Sequence, residues 1–275
     1  FLNTLFCSVI FLPLILLSQY THILDSSILH VGAGGWEMHR WIILKSVIVL
    51  LSWVFGYFAI AQLPLTIVGP INATRPVMTL VGAMLVFGER LNGWQWVGVC
   101  LAIVSLFLLA RSGKKEGIDF KHNKWIFFLV LAALMGTCSG LLDKYLMASP
   151  EEGGVGLDRM MAQSWYNIYQ CVMMGLVLLI YLINNHKKRA QRVHFSWRWS
   201  ILLISIFLSM ADFAYFYALS LPGAMISIVS MVRRGSVLVS FVCGAVLFRE
   251  RNLKAKAIDM CFVLLGMIFL WIGSR

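Results

Sequence analysis

The sequence predicts an all-α polytopic membrane protein built from two related halves. Three observations carry this. Apolar residues make up 60% of the 275 residues and charged residues 13%, against roughly 25% charged in soluble domains. Apolar runs of about 20 residues with few or no charges recur along the chain, the length needed to cross a bilayer as a helix. The chain also repeats itself. The stretch Phe55–Arg90 returns as Phe213–Arg251: a shift of 158 places Phe55, Tyr57, Phe58, Leu63, Pro64 and Arg75 on Phe213, Tyr215, Phe216, Leu221, Pro222 and Arg233. After a slip of three residues, Phe87, Glu89 and Arg90 fall on Phe248, Glu250 and Arg251.

Taken in order, nine spans are expected: Phe1–Tyr20, Trp41–Leu63, Pro64–Phe87, Trp94–Ala110, Trp125–Met147, Met161–Asn184, Trp199–Ser220, Leu221–Phe248 and Ala257–Gly273. Most of the tryptophans cluster near span ends, as an aromatic belt does, and Trp53 lies deep. Pro64 and Pro222 mark two tight hairpins. The second copy of the repeat is preceded by two spans and the first by one. The expectation is therefore that one further span precedes Phe1 in the complete protein, giving five plus five. The first span lacks the basic region and cleavage site of a signal peptide.

Net charge is +11, but the basic residues sit in short loops and not on a nucleic-acid-binding face. Five Lys/Arg lie in Arg111–Lys124, five between Lys187 and Arg198 and four between Arg249 and Lys256. The positive-inside rule places these three loops in the cytoplasm, opposite Arg40, Arg90, Arg159 and Arg275. The six cysteines read as small buried residues without C-x-x-C spacing, so neither disulfides nor a metal site is expected. No cofactor motif is present. GAGG at Gly32–Gly35 lacks the third glycine of a dinucleotide loop. The sequon Asn72-Ala-Thr74 lies at mid-membrane, where no glycan can be added. Gly136-x-x-x-Gly140 reads as a close-packing helix face.

Two span ends, FGERLNGWQWVGVCLAIVSLFLLA at Phe87–Ala110 and FRERNLKAKAIDMCFVLLGMIFLWIG at Phe248–Gly273, resemble the EamA branch of the drug/metabolite transporter superfamily. The helix Trp125–Met147, ending in SGLLDKYLM, is similar to the first helix of that family's second repeat. The resemblance implies two inverted five-helix repeats around a central cavity, and export or exchange of small metabolites. It divides the chain into a first repeat at 1–111, a basic connecting loop at 112–124 and a second repeat at 125–275. It also implies cytoplasmic termini, whereas the loop charges place the C-terminus outside, and orientation stays open between the two.

Charges at bilayer depth cost at least about 2.5–3.5 kcal/mol each, so they face a cavity or each other. Arg75 and Arg233 lie near the middle of repeat-related spans. Asn72 and Ser230, equivalent in the same shift, each sit three residues earlier on the same helix face. These two clusters are the expected anion-binding site, because a guanidinium binds a carboxylate or phosphate through a fork of donors. The alternative is that the arginines are structural ties to Asp143, Asp212 or helix carbonyls. Tyr57, Tyr215 and Trp53 are further candidates for lining a cavity. Asp212 and Asp143 are the candidates for proton coupling, since a desolvated aspartate can carry a proton. The six histidines lie in loops or at span edges, which argues against a histidine relay.

The functional expectation is a secondary-active carrier in the plasma or inner membrane, moving a small polar or anionic metabolite such as an amino acid, organic acid or sugar phosphate. Protons or a counter-substrate would drive it. The alternatives are an exporter of cationic drugs and a non-transporting membrane receptor. No catalytic constellation and no G-x-x-x-x-G-K-[ST] loop is present, so neither an enzyme nor direct ATP drive is expected.

Overall fold

In hydrocarbon every backbone N–H and C=O must find an intrachain partner, so apolar stretches of this length fold as helices. The computed structural model describes residues 1–63, 68, 71–72, 75–88, 90–114, 123–184, 197–221, 223–234, 261–262, 265–266, 268–269 and 272–273. Its helices are α1 (Leu2–Tyr20), α2 (Trp36–Ile60), α3 (Arg75–Phe87), α4 (Gly93–Lys114), α5 (Lys124–Met147), α6 (Arg159–Asn184), α7 (Trp199–Leu219) and α8 (Ile226–Arg234). Among the described residues, α1, α2, α5, α6 and α7 are long and apolar enough to cross a membrane. Only 17–33% of their apolar windows is buried. Most of the apolar surface therefore points outward, the reverse of a soluble protein and what lipid requires. The protein is a multi-pass helical membrane protein. The hairpin prolines Pro64 and Pro222, the basic stretches 115–122, 185–196 and 249–256, Glu89 and Cys243 lie outside the described residues.

Two helices differ in extent from the sequence expectation. α2 begins at Trp36, not Trp41; Glu37 in its first turn complements the positive helix end. α4 continues past Ala110 to Lys114.

The chain divides into two compact units. Unit 1 comprises Phe1–Leu50 and Asp143–Pro222, and unit 2 comprises Leu51–Leu142 and Gly223–Arg275. Each unit draws chain from both 1–111 and 125–275.

In unit 1, α1 packs against α6 and α7, and these two pack against each other. Small polar residues hold the contact. Ser8 Oγ donates to the Asn167 carbonyl at 2.9 Å, Gln163 Nε2 to the Ser209 carbonyl at 2.9 Å, and Ser205 Oγ to Asn3 Oδ1 at 2.7 Å. Such bonds, with close packing, hold membrane helices together where hydrophobic burial supplies little. The loops of unit 1 are tied down as well. Asp158 caps α6, its Oδ2 accepting from the Met161 N–H at 2.8 Å and the Gly32 N–H at 3.3 Å. A Cβ at Gly34 would collide with Met161, so the GAGG segment is a close-packed strap over the start of α6. Asp158→Ala is expected to destabilise unit 1 by about 1 kcal/mol, the usual worth of an N-cap, read as a lowered melting temperature in detergent.

In unit 2, α3 packs against α8 and α4. Ala59, Leu63, Val68, Ile126 and Leu129 form a buried apolar cluster there. α5 approaches its neighbours closely through small residues: Ser52 Oγ reaches the Ala132 carbonyl at 2.8 Å, and a Cβ at Gly82 would lie 2.5 Å from Leu141.

Candidate functional site

Among the described residues, each unit holds a charged cluster on its helices. The cluster in unit 2 is built on Arg75. Its guanidinium lies along α5, where Gly136 leaves room for it. A Cβ at Gly136 would sit 2.9 Å from Nη1 and 3.0 Å from Cζ. Nη2 points at the Ala132 carbonyl at 3.4 Å, the same oxygen that accepts from Ser52. Nε is buried and, among the described residues, has no hydrogen-bond partner. Asn72 Oδ1, three residues earlier in the chain, is likewise buried without a partner. No carboxylate pairs with Arg75 among the described residues. Arg233 is exposed on α8. Because α8 packs against α3, the two positive charges act on each other. Arg233 thus lies within electrostatic reach of Arg75. Ser230 lies half-buried on α8.

The glycine in this arrangement is testable. Gly136→Ala places a methyl group 2.9 Å from Nη1, so the guanidinium must shift. Because it is the far end of a flexible side chain, we expect a loss of about 1 kcal/mol, the low end for overpacking, seen in detergent melting. Trimming the clash with Arg75→Ala in the same chain should recover part of it.

The cluster in unit 1 joins two sequence candidates, Asp143 and Tyr215, to a residue the sequence did not single out, Lys45. Lys45, in the middle of α2, is 3% exposed. Its ammonium lies 2.8 Å from Asp143 Oδ1, at ion-pair distance though not along a hydrogen-bond direction. It sits 4.0 Å from the ring centroid of Phe216 and 4.5 Å from that of Tyr166. The Tyr215 hydroxyl donates to Asp143 Oδ2 at 3.3 Å. Asp143 therefore meets a lysine and not an arginine.

Of the remaining candidates, Tyr57 is 76% exposed and Trp53 38% exposed on α2. Asp212 is half-buried on α7, within electrostatic reach of Cys7 on α1.

Two kinds of residue escaped the sequence reading. Lys45 was visible as a lysine inside a span. Gln163, Ser164, Asn167 and Gln170 form a buried polar face on the first half of α6. Their helical spacing was available, and Gln170 is buried with neither amide atom partnered among the described residues.

Residues 1–111 match the EamA-like transporter family. They form an EamA-like transporter domain. That family is one of membrane transporters and not of enzymes, and the match covers 111 of the 275 residues. Lys45, Trp53, Tyr57, Asn72 and Arg75 lie inside the EamA-like domain, whereas Asp143, Asp212, Tyr215, Ser230 and Arg233 follow it. No curated protein matches the chain closely enough for comparison.

Proposed function

We propose that this EamA-like transporter is a secondary-active carrier for a small polar anion, such as an amino acid, an organic acid or a sugar phosphate. It works by alternating access between two repeats, in the cell membrane. The observation that carries the reading is Arg75: a guanidinium held in a groove, repelled by Arg233 and paired with no carboxylate among the described residues. A charge left in that condition at bilayer depth is expensive, and an anionic ligand would compensate it. The partnerless Nε donor and Asn72 Oδ1 acceptor favour a ligand that carries both an anionic group and a hydroxyl or amine.

The test is the melting temperature of the purified protein in detergent against amino acids, organic acids, sugar phosphates and cationic drugs. A ligand that binds only the folded form adds about 2.7 kcal/mol at 100 times its dissociation constant. Stabilisation by anions supports the reading. Stabilisation by cationic drugs alone overturns it in favour of drug export.

A further inference from the structure

A buried ion pair is weak support for a fold, since apolar residues of similar volume commonly do as well. The Lys45–Asp143 pair is one of these. The two side chains are 4% and 6% exposed. Lys45 has three N–H donors but, among the described residues, meets one strong acceptor group, Asp143. Its other contacts are the faces of Phe216 and Tyr166, which attract a cation without accepting a full hydrogen bond. Asp143 in turn has Lys45 on one oxygen and the Tyr215 hydroxyl on the other. Each charge depends almost wholly on the other. The titratable groups facing the pair are Tyr166 from α6 and Tyr215 from α7, and among the described residues no other carboxylate or cation contacts it.

Such a pair couples two ligands. Anything that takes Lys45 away from Asp143 leaves a buried carboxylate without its counter-charge, a costly state. We propose that Lys45 and Asp143 form a proton-coupling site, at which a small carboxylate or phosphate anion displaces Asp143 from Lys45 and Asp143 takes up one proton. Before the step the site holds –NH3+ and –COO−, with a sum of zero. After it the site holds –NH3+ against the bound anion and –COOH, again zero for a monoanion. The proton comes from hydronium in the bathing solution, and the only new bond is O–H on Asp143. Uptake of a monoanion is then electroneutral, driven by a pH gradient and indifferent to membrane potential. Tyr215 is the positioning residue that holds the carboxylate through its second oxygen. This rests on the carrier reading above and adds Lys45 as an anion-binding residue in unit 1.

The experiment uses the full chain in liposomes with labelled lactate, glutamate and glucose 6-phosphate as probes. Each variant is scored by its own ratio of accumulation with and without a gradient of one pH unit, acid outside. A single proton per monoanion permits up to about tenfold accumulation. The wild type is expected to approach this for at least one probe, unchanged when the potential is varied with potassium and valinomycin. Asp143→Asn is expected to lower the ratio to about one, while Asp143→Glu retains a gradient response. If Asp143→Asn fails to fold, the neutral double variant Lys45→Met with Asp143→Asn takes its place, again with an expected ratio of about one. A wild type that moves a probe but ignores the pH gradient overturns the coupling and leaves the carrier reading standing. So does a folded neutral variant that keeps the wild-type ratio. If none of the three anions moves, the anion reading and this proposal fall together.

Discussion

Replacing Lys45 by methionine alone is expected to destabilise the protein by about 3–5 kcal/mol, the usual loss when one partner of a buried ion pair is removed. The change removes little volume, so cavity formation is a minor contribution. What remains is the Asp143 carboxylate, sealed from solvent, with the Tyr215 hydroxyl at 3.3 Å as its remaining partner. The rings of Phe216 and Tyr166 also lose the cation they face at 4.0 and 4.5 Å. Changing Asp143 to leucine in the same chain removes the stranded charge, and most of the lost stability should return. Melting in detergent of the two single variants, the double variant and the wild type gives the coupling energy directly. A Lys45→Met protein that melts like the wild type would show that the pair is solvated and contributes nothing.

The second large effect is on ligand response. Arg75→Gln is expected to weaken anion binding by about 1.5–3 kcal/mol, the worth of hydrogen bonds to a charged group, or roughly 10- to 150-fold. Glutamine keeps polarity and some reach but loses the charge and the fork. Arg75→Lys should fall between, because it keeps the charge without the fork. Arg233→Gln should act in the same direction, since it removes a positive charge that acts on Arg75. The readout is the anion concentration that gives half-maximal stabilisation. If the Arg75 variants bind anions like the wild type, Arg75 is a structural tie to the Ala132 carbonyl.

Glycine 136 shows where reading the sequence stopped short. Its spacing with Gly140 marked a surface for close helix approach, and the closest group to it is the guanidinium of Arg75. A small residue in a span says that something comes near without saying what. Likewise Asp143 was visible as a charge in a span, but its partner lies 98 positions earlier (143 minus 45). Lys45 sits in a helix that is apolar on nearly every side. Such a helix has no polar stripe to show which face meets a neighbour, so no periodicity pointed from Lys45 to Asp143. The amides of α6 were missed differently: Gln163, Asn167 and Gln170 lie on one face at helical spacing, and their burial follows from α1 and α7 covering that face.

By itself the sequence determined that this is a helical multi-pass membrane protein, and roughly where α1, α2, α5, α6 and α7 begin and end. Span length and hydropathy are local properties, because each helix satisfies its own backbone bonds within its own segment. The tertiary structure alone decided that α3 lies against α8, that Gly136 houses a guanidinium, and that Asp143 belongs to Lys45. Those are contacts between helices distant in sequence, and in a chain apolar on most faces they depend on which surfaces meet.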